Sequence, residues 1–526
     1  MAIAIDFGTS NTVIARWNPV TAQPETLKLP NFSLQQAQNP PLIPSLIYVE
    51  EAQAGQVLVG QQVRDRGLDL SSDSRFFRNF KRGIGSDIQG FLPDLEGKSI
   101  TFEQIGQWFL TRLVEQLQGE DSVIVTVPVD SFEAYRHWLG NVFADLKIER
   151  VRMVDEPTAA ALGYGMAEEE LLLVLDFGGG TLDLSLVRLD RSAGKKPLGF
   201  VLKWGEKLFS EESGQKVKTA RVLAKAGQNL GGSDIDNWLV DYFAEAQNIP
   251  KTALIARLAE RLKIQLSLNS EATEVYFDED SLESYELSLN RDRFQEILQK
   301  HQFFDRLDEA MNQVLQQAKR QGLELNDISA LLLVGGTAQI PAVQTWVQQY
   351  FNESQIRSQK PFEAIAQGAL QLVQGIELKD FLYHGYGIRY WDRRNKRHSW
   401  HPLIKEGQPY PMSEPVELTL GASLDNQPSI ELIIGELGAE TGGTEVYFDG
   451  DRLITRILGR DQQAVKPLND REGARTIAKL DPPGFPGSDR IKILFQVDEQ
   501  RFLRMTVEDL LTNQTLLDDK PVVQLS

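Results

Sequence analysis

Cysteine is absent from the chain. That removes disulfides, thiolate metal sites and a cysteine nucleophile together. Positive charge is also in short supply, with 55 Lys and Arg against 74 Asp and Glu, a net charge of −19. So acidic a chain repels the phosphate backbone of DNA and RNA, and no nucleic-acid partner is expected. Long apolar runs are missing too: a run such as residues 171–175 is far too short to cross a bilayer, so no membrane span is expected. The N-terminus has no basic stretch, and Asp6 falls where a signal peptide needs apolar residues. A cytoplasmic location follows as the expectation. Of the five histidines, His398 and His401 stand three apart in a Trp- and Pro-flanked stretch read as a loop, where a structural or surface role is expected. No serine triad, Rossmann fingerprint or kinase His-Arg-Asp loop accompanies them.

What is present suits folded domains. The 526 residues are 41% hydrophobic and 9% aromatic, enough for ordinary cores in three or four domains. The organising stretch is 171–187, where an apolar run of strand length ends in Asp176-Phe177-Gly178-Gly179-Gly180-Thr181. Alternation of period two then resumes through Leu182, Leu184 and Leu186, which predicts a hairpin closed by a glycine turn. Without Cβ atoms such a turn can aim successive backbone N–H groups at an anion. The N-terminus repeats the plan in Asp6-Phe7-Gly8-Thr9-Ser10, about 170 positions earlier. One copy alone reads equally well as a tight turn. Two copies in the same strand context predict a clamp for a polyphosphate, with Asp6 and Asp176 as oxygen ligands for its Mg²⁺.

Between the hairpins lies a Pro-rich loop at 19–45, and then a basic segment around Lys81. That segment reads as a solvated face or as a cation beside the polyphosphate. Thr101 and Gln104 predict a capped helix to about residue 118. Strands are expected at 123–127 and 150–154, with a helix from Ser131 between them. Pro157 suits the first turn of a small-residue helix, where Glu156 reads as a dipole-compensating cap. Residues 190–227 read as a surface excursion, after which Gly231 and Gly232 open another helix. Glu260, Lys263 and Ser267 share a polar stripe opposite Leu258, Leu262 and Leu266; taken alone it is as well explained by solvent. A strand at 329–334 leads into Gly335-Gly336-Thr337, a Gly-Gly turn before a helix N-terminus that predicts an anion contact. A last helix is expected at 361–373. From about 375 the pattern changes to short alternating strands, for example 416–420, 429–434, 445–448, 490–497 and 502–507. These predict an all-β module.

Eight ordered motifs together resemble the seventy-kilodalton heat-shock chaperones of the bacterial DnaK type over nearly the whole chain. They are Asp6-Phe-Gly-Thr-Ser10, Lys81-Arg-Gly-Ile-Gly85, Val125-Thr-Val-Pro128, Asp155-Glu-Pro157, Asp176-Phe-Gly-Gly-Gly-Thr181, Gly231-Gly-Ser-Asp234, Glu260-Arg-Leu-Lys263 and Leu333-Val-Gly-Gly336. The resemblance implies an actin-like α/β ATPase (ribonuclease H-like, duplicated) over 1–375. Its lobes would be about 1–165 plus 355–375, and 166–354. A linker at 376–388 and a β-sandwich substrate-binding domain at 389–526 would follow.

The same resemblance implies an ATPase that uses ATP/ADP and Mg²⁺. Asp6, Asp176 and Asp183 would hold the metal through water, and Lys81, Glu156, Asp176 and Thr181 would serve hydrolysis. Gly8, Thr9, Ser10, Asn11 and Gly178–Gly180 would line the phosphates. Gly231, Gly232, Glu260, Lys263, Ser267, Gly335, Gly336 and Gln339 would border the remainder of the nucleotide. Expected partners are unfolded or extended apolar polypeptides, a J-domain co-chaperone and a nucleotide exchange factor. The chain departs from the family pattern at Gln339, where an Arg is usual, at Phe362, where an acid is usual, and at Asn11, which replaces a larger residue. Sequence for a helical lid is not found after the last β strands, so rapid peptide exchange is expected. Two other readings stay open: a sugar or acetate kinase on the same fold, and a nucleotide-sensing actin-like scaffold or filament former whose β domain docks one partner.

Overall fold

The computed structural model describes residues 2–34, 39–70, 73–86, 88–89, 93–117, 122–128, 133–146, 148, 150–165, 170–190, 201–204, 219–278, 282–371, 382, 385–392, 397–405, 408, 410–412, 414–437, 443–449, 452–458, 465–469, 476–498 and 501–525. The chain divides into two compact units, Met1–Glu377 with Thr444–Arg456, and Leu378–Gly443 with Ile457–Ser526.

The first unit is built on two sheets of matching plan. In one, Gln23–Thr26, Asn11–Asn18 and Ala2–Phe7 run antiparallel, and Ser122–Val127 and Arg150–Asp155 continue in parallel from Ala2–Phe7. In the other, Thr219–Gln228, Leu182–Asp190 and Leu171–Phe177 run antiparallel, and Ala330–Val334 and Ile356–Arg357 continue in parallel. Each sheet therefore starts from one of the Asp-Phe-Gly hairpins. Parallel pairs need helical crossovers, here Phe102–Val114 and Glu133–Asp145 among others. Thr101 caps the first of these by accepting the Gln104 N–H at 3.2 Å, and the helix ends at Val114, earlier than expected.

Both hairpin phenylalanines are fully buried. Phe7 packs in a cluster with Phe80 and Phe109, with ring centroids at 6.1 and 5.7 Å, and Phe177 stacks on Phe303 at 5.8 Å. Side chains alternate along a strand, so anchoring each Phe in its core turns the preceding Asp to the opposite face. Leu182, Leu184 and Leu186 are buried as the period-two pattern requires.

Two expectations for the 190–227 stretch are corrected. Val201–Trp204 is a strand that adds antiparallel to Arg150–Asp155, and Thr219–Gln228 is a long sheet strand rather than an excursion. The Lys- and Ser-rich composition between them hid two β segments. The last helix starts at Ala364, three residues later than the pattern suggested, and runs through Gln371. It crosses the helix Glu156–Gly163 on small residues: a Cβ on Gly163 would lie 1.9 Å from the Ala364 carbonyl oxygen, and one on Gly368 1.8 Å from that of Ala159. Glu445 and Val446, in the part of this unit at Thr444–Arg456, pair in parallel with Ile88 and Gln89.

In the second unit every strand pairing is antiparallel. One sheet orders Arg397–Ile404, Gly385–Asp392, Ile434–Leu437 and Val465–Pro467; another orders Val416–Gly421, Asp489–Val497, Phe502–Asp509 and Gln514–Gln524. Their inward residues, such as Tyr386, Ile434, Ile493, Phe495 and Met505, form one core. The expected strand at 429–434 is broken into Gln427–Glu431 and Ile434–Leu437, and Leu432 and Ile433 are buried at the break. His398 and His401 lie in a strand, Arg397–Ile404, and not in a loop. Most of the expected linker, 376–388, lies outside the described residues, and 385–388 open the strand Gly385–Asp392. No helix among the described residues is long and apolar enough to cross a membrane.

Candidate functional site

The two hairpin turns meet face to face. A Cβ on Gly179 would stand 1.9 Å from Ser10 Oγ, and one on Gly180 2.6 Å from Thr9 Oγ1. The second turn is itself packed into other glycines. Gly231 has no room for a Cβ, which would lie 2.4 Å from the Gly179 carbonyl, and Gly335 (φ +84°) abuts the Phe177 carbonyl oxygen in the same way at 2.3 Å. Backbone hydrogen bonds fix this nest: the Gly232 N–H donates to Gly178 O at 3.1 Å and the Ser233 N–H to Gly179 O at 2.9 Å. Thr337 Oγ1 donates to Gly178 O at 2.8 Å. The expected Gly-rich residues 178–180, 231–232 and 335–336 therefore converge on one place.

Around the turns sit the charges. Lys81 Nζ is 3.4 Å from Glu156 Oε1, both side chains being largely buried. Asp155, not Glu156, caps the helix Glu156–Gly163, accepting the Thr158 N–H at 2.9 Å. Glu156 stands in the first turn, as expected of an acid that compensates the helix dipole, and its carboxylate pairs with Lys81. Asp6 accepts a hydrogen bond from Thr126 Oγ1 at 2.9 Å. Burial and the neighbouring Glu156 charge push the Asp6 carboxyl up to about 7, although Lys81 and Thr126 oppose the rise. Asp176 is raised well above its ordinary value by burial and by Glu156, Asp183 and Asp6. Burial would lower the Lys81 ammonium, yet Glu156, Tyr135, Asp6 and Asp176 together raise it. Asp183 lies opposite Asp176 across the hairpin.

No group of three His, Cys, Asp or Glu among the described residues converges as a direct metal shell. Burial first, and the neighbouring carboxylates second, raise Asp6 and Asp176; oxygen donors set this close have the chemistry that suits a hard cation.

The polar stripe is used within the protein. Glu260 Oε2 accepts from Arg64 Nη2 at 3.3 Å, and Lys263 Nζ is 2.7 Å from Asp236 Oδ1 and donates to Gly232 O at 2.9 Å. Burial would raise the Glu260 carboxyl, but Arg64, Lys263, Arg78 and Arg257 hold it below its ordinary value. The Ser267 hydroxyl donates to Lys263 O at 3.1 Å within its own helix. Gln339 lies in the short 3-10 turn after Gly335, and its Nε2 is buried without a hydrogen-bond partner among the described residues. Phe362 packs against the same turn, 3.2 Å from where a Cβ of Gly336 would be. Asn11 backs the first turn, its carbonyl oxygen 2.2 Å from where a Cβ of Gly8 would be.

Sequence reasoning missed Arg82. It is 3% exposed and spans the two halves: Nη2 contacts Asp234 Oδ2 at 2.7 Å and Nε donates to Gly180 O at 3.1 Å. Arg82 stood in the basic motif beside Lys81, and nothing in its spacing marked which cation is the structural one. A second missed link joins Arg257 to Asp69 at 3.0 Å, near the Arg64–Glu260 pair.

A family model described as Hsp70 protein matches residues 92–195 and 218–383. The chain belongs to the Hsp70 family. Within that family it is 28% identical over 445 residues to the chaperone protein dnaK1 of Synechocystis sp.. That alignment covers 79% of this Hsp70 chain and 55% of the relative, so the chain represents little more than half of the relative's length.

Proposed function

We propose that this Hsp70-family chain is an ATP-dependent molecular chaperone that hydrolyses ATP to ADP and couples hydrolysis to binding and release of extended apolar polypeptide. The reading takes the first unit as an actin-like ATPase and the β unit as the polypeptide-binding sandwich. The observation that carries it is the contact of two carboxylate-led glycine turns, Gly179 against Ser10, with Lys81 and Glu156 alongside. The relative's name, chaperone protein dnaK1, supports the same reading.

A Mg²⁺-bound triphosphate supplies the phosphorus centre and neutralises part of the charge that develops on it. The protein's share is positioning and electrostatics. The amides of Gly178–Gly180 and the hydroxyls of Thr9, Ser10 and Thr181 face the phosphate oxygens. Asp6, Asp176 and Asp183 would hold a magnesium ion, whose positive charge would offset that of the phosphates. Glu156 restrains Lys81, which presents its ammonium to the terminal phosphate. Glu260, Lys263, Ser267 and the Gly335–Gly336 turn border the nucleoside, and Phe362 offers an aromatic wall beside Gly336. The proposed partners are apolar polypeptides, with a J-domain co-chaperone and an exchange factor as regulators.

Single-turnover ATP hydrolysis, with and without an apolar peptide, tests the reading. The expected result is a peptide-dependent rate in the intact chain. Asp176→Asn is expected to keep nucleotide bound while the hydrolytic step slows at least about tenfold, because a charge supporting the metal shell is lost. A variant as fast as the parent would remove Asp176 from the mechanism.

A further inference from the structure

Tyr135 opens the helix Glu133–Asp145 and is 4% exposed. The loop that carries Lys81 lies directly on it, since a Cβ on Gly85 (φ +75°) would stand 3.0 Å from the Tyr135 backbone nitrogen. Trp138 packs against the Tyr135 ring, at 5.5 Å between centroids. The Lys81 ammonium is 5.7 Å from the centroid of Phe7 and 6.0 Å from that of Tyr135, with Glu156 Oε1 at 3.4 Å. Two aromatic faces and one carboxylate thus box a single cation, a favourable arrangement when it is sheltered from water.

Core packing explains the Phe7 face. It does not explain why the other ring is a tyrosine. The Tyr135 hydroxyl is buried and has no hydrogen-bond partner among the described residues. An orphaned buried hydroxyl costs stability that phenylalanine would spare. The charges that this hydroxyl senses are those of Lys81, Glu156 and Asp6, the groups of the cleft. Burial pushes it up to about 12, so it keeps its proton at neutral pH and stays a donor.

We propose that Tyr135 is a further substrate-contacting residue, its ring flanking the Lys81 ammonium and its hydroxyl donating a hydrogen bond to a terminal phosphate oxygen of bound nucleoside triphosphate. The proposal rests on the nucleotide reading above. It assigns the hydroxyl to the oxygens that distinguish a triphosphate from a diphosphate.

The test is titration calorimetry of the full chain with Mg²⁺-ATP and Mg²⁺-ADP, for the parent, Tyr135→Phe and Tyr135→Leu. Tyr135→Phe is expected to weaken ATP binding about tenfold, the loss of one hydrogen bond to a charged group, and to leave ADP binding within about twofold. Its ligand-free melting temperature is expected to equal or exceed the parent's. Tyr135→Leu also removes the ring, and is expected to slow single-turnover hydrolysis beyond the Phe variant. Equal effects on both nucleotides, no effect on either, or a lower ligand-free melting temperature for Tyr135→Phe would each overturn the contact. A parent protein that binds neither nucleotide would overturn the nucleotide reading itself, and this contact with it.

Discussion

The two Asp-Phe-Gly turns share an order of residues and differ in what grips them. The first is clasped by hydroxyls from elsewhere in its lobe. Ser45 Oγ donates to the Gly8 carbonyl at 2.7 Å, Thr12 and Ser45 share a hydrogen bond at 3.0 Å, and Thr126 holds Asp6. The second is clasped by backbone: the chain at 231–233 and at 335 approaches so closely that side chains are shut out. A hydroxyl clasp can lose one member and keep its shape. A nest of main-chain segments cannot take on an atom. The first turn is also closed to a side chain at Gly8, by the Asn11 carbonyl oxygen at 2.2 Å, so the lobes differ in what clasps each turn from outside.

The contrast is broken most severely at Arg82, which ties the second turn to the first lobe's loop. Arg82→Leu takes the guanidinium from the Gly180 carbonyl and leaves the Asp234 carboxylate only the Gly231 N–H among the described residues, and removing one partner of a buried pair costs about 3 kcal/mol or more. Urea unfolding would measure it, and a loss under about 1 kcal/mol would show that the link is dispensable. Next comes Gly231→Ala, whose Cβ meets the Gly179 carbonyl at 2.4 Å; overpacking of that kind costs about 1–3 kcal/mol. Gly178→Ala is its control, because nothing lies within 4 Å of that Cβ, and its stability should change by about 0.5 kcal/mol or less. Comparable losses in both would dismiss backbone crowding as the cause.

The gentlest probe is pH. Asp6 is raised from its ordinary 3.8 to about 7, so the folded chain binds this proton more tightly than the unfolded one. Stability of the ligand-free protein should therefore fall as pH rises from about 4 to about 7, where ionising the buried carboxyl becomes obligatory. Melting temperatures between pH 4.5 and 8 should show a shallower decline in Asp6→Asn. An unchanged slope would assign the effect to other groups, Asp176 first among them.

Much of this was legible in residue order. A strand that ends in Asp-Phe-Gly must bury its Phe, and the face opposite follows from the pleat; both copies obey. The close packing expected of the small residues after Pro157 is realised at Gly163 and Gly368. What stayed illegible depends on distant contacts. Lys81 and Arg82 are neighbours with equal charge, and only the fold sends one to Glu156 and the other to Asp234. Val201–Trp204 lies in polar surroundings, and its strand exists because Arg150–Asp155 offers an edge. The spacing of the Glu260 stripe left open whether it was solvated, and Arg64, about 200 positions earlier, engages it. Tyr135 had no motif around it to mark it.

The crossing of Glu156–Gly163 with Ala364–Gln371 has a mechanical consequence. Carbonyl oxygens stand within 2 Å of where Cβ atoms would be at Gly163 and Gly368, so a side chain at either position would wedge the two helices apart.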